Sequence, residues 1–153
     1  MGTTRKAQAA MEYLMTYGWA IIIIIIVAAA LYYLNVFSPP TTQVASGFTG
    51  FTVPTGGWSL SSGGQLTVLL RNAVGSRITV TAMSATISGT TASLTPAPAN
   101  MTVNNQTTFR TGAADFSSRT AGSAYSGTVT VTYTNTDTGL TFTSTGSLSG
   151  AVS

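Results

Sequence analysis

Residues 8–37 read QAAMEYLMTYGWAIIIIIIVAAALYYLNVF, the only long apolar run in the chain. From Trp19 to Phe37 the one strongly polar residue is Asn35, and isoleucine fills every position of 21–26. As a helix, this part would be roughly 28 Å long, close to the ~30 Å thickness of the bilayer hydrocarbon. Strands rarely exceed about ten residues. Length therefore predicts a helix, filling residues 8–38, that is apolar on every face.

The residues on either side of this run predict its orientation in a membrane. Arg5 and Lys6 precede it, whereas Ser38-Pro39-Pro40 follows it without any nearby basic residue. The positive-inside rule then places the N-terminus in the cytoplasm and everything after about residue 38 outside. Because proline cannot continue a helix, residues 39–46 are predicted to form a short connector.

The composition removes most catalytic chemistry. The chain has no His and no Cys, so it lacks the side chains of Ser-His-Asp and Cys-His catalysis and of ordinary zinc sites. Its three acids, Glu12, Asp115 and Asp137, are too scattered to predict a glycosidase pair or a calcium cage. Asp115 and Asp137 are interpreted as turn and capping residues. We therefore expect no enzymatic activity, no metal and no cofactor.

The basic residues do not predict a nucleic-acid partner. The formal net charge is +3, and only 6% of the residues are charged. After the two that precede the apolar run, the remaining basic residues are dispersed: Arg71, Arg77, Arg110 and Arg119. Nucleic-acid binding requires a basic patch, which this spacing does not provide.

Residues 47–153 have a different pattern, in which branched or aromatic residues alternate with Thr and Ser. Gly, Pro, Asn and Asp punctuate the alternation at short intervals, which is typical of strands joined by turns. The predicted strands are 48–53, 65–71, 77–88, 92–94, 101–103, 107–110, 124–133 and 140–148. This pattern predicts an α+β chain whose second part is an antiparallel β-sandwich of immunoglobulin-like architecture, with a barrel as the alternative.

The last two predicted strands form a hairpin across the turn Asp137-Thr138-Gly139. Alternation places every second residue on one face, so apolar residues of both strands should meet there. The residues predicted to meet are Val129, Val131 and Tyr133 on the first strand, and Leu140, Phe142 and Leu148 on the second. The threonines between them fit the pleat of the outer face.

The outer domain also carries possible glycosylation sites. Asn100-Met101-Thr102 and Asn105-Gln106-Thr107 match the N-glycosylation acceptor pattern in a part predicted to be extracellular. The many Ser and Thr residues are explained either by strand propensity or by dense O-linked glycosylation, which would supply the solubility that charge does not.

The residues around the start of the apolar run resemble the class III signal peptide of archaeal type IV pilins. The matching stretch is Lys6-Ala7-Gln8-Ala9-Ala10-Met11-Glu12, continued by YLMTYGW at 13–19. The resemblance covers only about residues 5–19, and Ala7 stands where the family often has Gly. It implies that a prepilin peptidase cuts between Ala7 and Gln8. Residues 1–7 would then be a leader peptide with Arg5 and Lys6 as its charge.

The same resemblance assigns Glu12 to assembly, since it becomes the fifth residue of the mature chain. In the family this acid is thought to pair with the new N-terminal amine of a neighbouring subunit, which here implies Gln8. A carboxylate beside an apolar segment is costly unless it has such a partner or reaches the lipid headgroups.

These features together predict the subunit of an archaeal adhesion pilus. A helix that is apolar on every face must be buried on every face, and copies of itself can do this once it leaves the membrane. The expected partners are the membrane, the prepilin peptidase, the pilus assembly machinery and identical subunits in a cell-surface filament. Two alternatives remain, namely an archaellin and a monomeric surface-binding protein held by an uncut membrane anchor.

Overall fold

The computed structural model describes residues 3–34, 36 and 42–153, with only the backbone for residues 3–10. The chain divides into two compact units at the boundary between residues 40 and 41. The first unit contains one helix, and the second contains all the strands. This arrangement confirms the predicted α+β class.

Helix α1 runs from Thr3 to Tyr33. It starts earlier than predicted, inside the segment read as a leader, because residues 3–7 contain no helix-breaking residue. It also ends before the predicted limit at residue 38, since Leu34 and Val36 lie in a turn. The predicted hinge at Pro39-Pro40 lies outside the described residues.

The β-domain contains ten strands. Most are short, and the longest three are those whose alternation is clearest in the sequence. Their bounds are β1 Val44–Ser46, β2 Phe51–Thr52, β3 Trp58–Leu60, β4 Leu66–Asn72, β5 Ile78–Ile87, β6 Thr90–Ser93, β7 Ala99–Met101, β8 Gln106–Arg110, β9 Ala124–Asn135 and β10 Thr141–Ala151.

The strands form two antiparallel sheets. One has the order β1-β10-β9-β5-β6, with β7 also paired to β5. The other has the order β2-β4-β3, with β8 also paired to β4. Isolated bridges Leu60–Val152 and Thr95–Arg110 join strands of one sheet to the ends of the other. The predicted two-sheet sandwich is confirmed, with these two bridges linking its sheets.

The first strand corrects the predicted domain boundary. Val44–Ser46 pairs with β10, with Val44 opposite Ser149 and Ser46 opposite Ser147. Part of the predicted connector 39–46 is therefore a strand of the β-domain. The predicted strand 48–53 is reduced to Phe51–Thr52.

The β9–β10 hairpin forms as predicted, but its inner face differs. Val129, Val131 and Tyr133 are buried, and so is Leu148. Leu140 is 60% exposed and precedes β10, so its predicted place in the core is wrong. Phe142 is 44% exposed and stacks on Tyr133 with ring centroids 5.7 Å apart.

Small residues of β10 leave room for a side chain from the segment that precedes β2. Gly146 lies opposite Val129, and the ring of Phe48 occupies the place where a side chain of residue 146 would stand. Ser144 accepts a hydrogen bond from the Thr49 amide at 2.9 Å. The segment before β2 therefore covers the middle of the β9–β10 hairpin, whereas Phe142 contacts Tyr133 at its turn end, as predicted.

A bulge keeps β5 in phase with the core. The pairing of β5 with β9 shifts register between Val80 and Ala82. Val80 and Met83 are both buried, while the residues between them are exposed. One extra residue thus keeps two halves of a ten-residue strand facing the same core.

Candidate assembly helix

The apolar part of α1, Met11–Tyr33, is long enough to cross a membrane. Its mean hydropathy is 2.5, and none of its most apolar window is buried inside the chain. The isoleucines at 21–26 are 48% to 66% exposed, with Ile22 at the lower and Ile24 at the upper value. These side chains are therefore not buried within the helix unit itself, and covering them with lipid or other apolar groups would be favourable.

Glu12 is the only charged residue in this span. Its main-chain carbonyl accepts a hydrogen bond from the Thr16 hydroxyl at 3.0 Å, one turn along the helix. That bond uses the backbone, so the exposed carboxylate remains available to another group. Desolvating an unpaired carboxylate costs several kcal/mol, so a cationic partner at this position would be strongly favoured.

The residues around the predicted cleavage site form part of the same helix. Arg5, Lys6, Ala7 and Gln8 all fall within α1, and their side chains are outside the described part. Gln8 precedes Glu12 by about one helical turn. The role of Ala7 and Gln8 in cleavage, and of Gln8 and Glu12 in assembly, stays a prediction.

Aromatic residues stand near both ends of the apolar span. Tyr13 and Tyr17 contact each other with ring centroids 4.4 Å apart. Trp19 is 68% exposed, and Tyr32 and Tyr33 are more exposed still. Amphipathic rings at these positions suit the two interfaces of a membrane, and they also provide large contact surfaces for neighbouring helices.

The two acceptor asparagines are exposed on the β-domain. Asn100 lies in β7, where its Oδ1 accepts a hydrogen bond from the Thr79 hydroxyl at 2.8 Å. Asn105 precedes β8, and its Oδ1 accepts from the Gln106 amide at 2.8 Å. Both positions can be reached from solvent, and their glycosylation stays a prediction.

The remaining acids occupy turns, as the sequence predicted. Asp115 accepts a hydrogen bond from the Gly112 amide at 2.6 Å, which closes a short turn. Asp137 lies in the β9–β10 turn, where its amide donates to Asn135 Oδ1 at 2.9 Å. These bonds explain the choice of Asp and Asn there through local backbone geometry.

A groove that the sequence did not reveal lies at this turn. It is lined by Gly75, Ser76, Arg77, Thr102, Val103 and Asp137 and has a volume of about 490 Å³. Three separate loops contribute these residues, so only the strand topology brings them together. No spacing pattern in the sequence could have marked Arg77 and Asp137 as neighbours of one groove.

Comparison with protein-family models and with curated proteins gives no match for this chain. Its function therefore has to be argued from the helix and the β-domain themselves.

Proposed function

We propose that this protein is the structural subunit of an archaeal type IV adhesion pilus. The subunit would span the membrane with α1, lose residues 1–7, and polymerise through the same helix into an extracellular filament. The β-domain would form the outer layer of that filament. No catalytic activity is part of this proposal.

One observation carries the proposal, namely that none of the most apolar window of the helix is buried within the described chain. Covering a large apolar side chain contributes about 1.5–3 kcal/mol. Because the residues Ile21 to Ile26 are 48% to 66% exposed, they would gain roughly 5–10 kcal/mol from full burial, comparable to the whole stability of an ordinary domain. Such a helix does not remain in water, and it requires either lipid or other apolar helices around it.

Copies of α1 satisfy this requirement after the subunit leaves the membrane. A contact between different surfaces of identical subunits generates a helical filament when its rotation does not close a ring. Glu12 supports this arrangement, because cleavage before Gln8 would create an amine that can pair with it. The match of residues 5–19 to the pilin leader supports cleavage at that bond and favours a pilin over an archaellin.

The same apolar span also suits a second candidate, a monomer held by an uncut membrane anchor. The two proposals differ in the first residue of the surface protein. Mass spectrometry of the N-terminal peptide of surface-extracted protein should find Gln8 as the first residue. A first residue of Met1 or Gly2 would overturn the pilin proposal and favour the anchored monomer.

The role of Glu12 can be tested separately from cleavage. Glu12→Ala should leave membrane insertion and β-domain folding unchanged and reduce the yield of filaments seen by electron microscopy at least tenfold, as for loss of a charged partner. Glu12→Asp should restore part of the yield. Asp137→Asn removes an acid from the β-domain and serves as the charge-matched control. A normal filament yield from Glu12→Ala would show that assembly does not require the Glu12 carboxylate.

A further inference from the structure

The groove at the β9–β10 turn is built on a rigid frame. Asn72 is fully buried, and its Nδ2 lies within hydrogen-bonding distance of the carbonyl oxygens of Ser76, Met101 and Thr102, at 2.9, 3.2 and 3.2 Å. Its Oδ1 accepts from the Val74 amide at 3.0 Å. One buried side chain therefore fixes both the β4–β5 loop and the β7–β8 loop.

A second asparagine fixes the third loop to the first. Asn135 Nδ2 donates to Ser76 Oγ at 2.9 Å, and its Oδ1 accepts from the Asp137 amide. The Thr136 amide donates to the Arg77 carbonyl oxygen at 3.0 Å. Three loops are thus held in place before any ligand arrives, which lowers the entropy lost on binding.

The charged groups of the groove take no part in these bonds. Arg77 and Asp137 are both exposed, and the frame uses only their backbone atoms. Arg77 is the only cation among the lining residues, and Asp137 is the only anion. A guanidinium suits a carboxylate ligand, whereas an ionised Asp can only accept hydrogen bonds, for example from ligand hydroxyls.

The other lining groups restrict the class of ligand further. The Ser76 hydroxyl accepts from Asn135, so its own proton is free to be donated. The Thr102 hydroxyl adds a donor and acceptor, and Val103 is an apolar surface that is 46% exposed. A molecule that fits this set has a carboxylate, several hydroxyls and a face of C–H groups. Sugar acids have all three, and a volume of about 490 Å³ accommodates one or two sugar rings.

The topology places the groove far from the point where the chain enters the domain. Val44 lies opposite Ser149 on β10, whereas the groove is at the turn that precedes Thr141. The distance along β10 between these points is roughly 26 Å. The groove therefore lies at the opposite end of β10 from the strand by which the chain enters the β-domain.

We propose that this groove binds a carboxylated polysaccharide, with Arg77 holding the carboxylate and Asp137 accepting hydrogen bonds from hydroxyls. The inference rests on the proposed function, since it assigns the adhesive surface of the pilus. Each site binds weakly, and repetition along the filament supplies the avidity needed to hold a polymeric ligand.

The test compares two ligands that differ only in charge. Oligogalacturonate and its methyl ester, at equal length, are titrated calorimetrically into the unglycosylated full-length chain in detergent micelles. The acid should bind at least tenfold more tightly than the ester, in keeping with a charge-assisted contact. Arg77→Gln should remove this preference. Asp137→Asn should weaken binding of the ester about fivefold, because a neutral amide oxygen replaces a charge-assisted acceptor of its hydroxyls.

Arg110→Gln is the matched control, because Arg110 is equally exposed but lies on β8 outside the groove. It should keep the preference for the acid, and both Arg variants should keep the unfolding midpoint of the parent. Equal binding of acid and ester, or an equal loss in the two Arg variants, would overturn the proposal. Tighter binding of oligoglutamate than of oligogalacturonate would also overturn it in favour of an acidic peptide ligand.

Polymerisation is not needed for this titration, so the two proposals fail independently. If the protein forms filaments normally but its monomer binds acid and ester equally, the groove proposal fails and the pilin proposal stands. If the monomer prefers the acid but the protein never forms filaments, the groove proposal stands and the pilin proposal fails.

Discussion

The helix and the β-domain differ in how far they bury their apolar side chains. The β-domain buries a continuous core that includes Leu60, Val68, Leu70, Ile78 and Phe109, each with 0% exposure. In α1, Leu14 is 70% exposed and Ile24 is 66% exposed. One part of the chain is thus complete as a single copy, whereas the other requires lipid or further copies. The same residue type therefore contributes to folding in one region and, in the proposed filament, to assembly in the other.

Matched leucine substitutions should separate these two contributions most strongly. Leu70→Ala should lower the free energy of unfolding of the β-domain by about 2–5 kcal/mol, because it leaves a cavity in a packed core. Leu14→Ala should leave that free energy unchanged and reduce filament yield instead. Denaturant titrations in micelles, followed by Trp58 fluorescence in a Trp19→Phe background, measure the first quantity.

Leu14→Ala and Leu70→Ala remove the same atoms, so each variant is the control for the other. A β-domain loss of more than about 1 kcal/mol from Leu14→Ala would show that the helix supports the fold of the domain, and the contrast between the two regions would no longer hold.

Glycine-to-alanine changes should have opposite signs in the two regions. Gly64 has φ +88°, and a Cβ there would overlap the backbone of Phe116. Gly64→Ala should therefore destabilise the β-domain by about 2–3 kcal/mol. Gly18 has nothing within 4 Å of an added Cβ, so Gly18→Ala should stabilise the isolated helix by about 0.5–1 kcal/mol.

Denaturant titration of the domain and circular dichroism of the micelle-bound helix measure the two effects. If Gly18→Ala preserves helicity but lowers filament yield, a neighbouring helix approaches closely at Gly18 after assembly. An unchanged domain stability in Gly64→Ala would contradict the close approach to Phe116.

The smallest effect at neutral pH concerns Tyr125, a buried residue whose hydroxyl has no hydrogen-bond partner among the described residues. Burial raises the pKa of Tyr125 to about 12, and the nearby Leu60 backbone offsets only part of this rise. The folded state then holds this proton more tightly than the unfolded state, whose pKa is about 10. Stability from this group is complete below pH 10 and is lost as the pH rises to about 12.

With solvent screening near the hydroxyl, the loss over this pH range should be on the order of 1–2 kcal/mol. Tyr125→Phe should remove this part of the pH dependence, and it should be neutral or slightly stabilising at pH 7 because it deletes an unpaired polar atom. Tyr133→Phe in the same core is the control. Parallel curves for parent and Tyr125→Phe between pH 9 and 12 would contradict the role of Tyr125.

The sequence predicted the parts of the fold that rest on long regular patterns. The apolar helix and the β9–β10 hairpin have enough residues for length and alternation to be decisive. Strands β1 and β3 have only three residues each, too few for a recognisable alternation. The error at Leu140 arose because β10 begins only at Thr141, so the alternation was extended one residue too far. The covering of Gly146 by Phe48, distant in sequence, could not be read from the alternation.

The candidate sites differ in predictability for the same reason. Arg5, Lys6, Ala7, Gln8 and Glu12 form one continuous stretch, so their order is readable without any structure. The groove depends on the pairing of strands distant in sequence and on Asn72, which directly follows the predicted strand 65–71 and carries no motif. Its burial, with hydrogen bonds to two loops, becomes visible only when those loops are brought together.

The position of β1 also determines how a filament of such subunits would carry tension. The chain passes from α1 into β1, which pairs with the last strand, and no later part of the chain returns to the helix by covalent connection. If the helices hold one another in the proposed core, a pulling force along the filament is transmitted through contacts between helices, and each β-domain is joined to its helix by one covalent connection before β1. A substitution in the groove can then change the ligand without altering the residues of α1 that would carry this force.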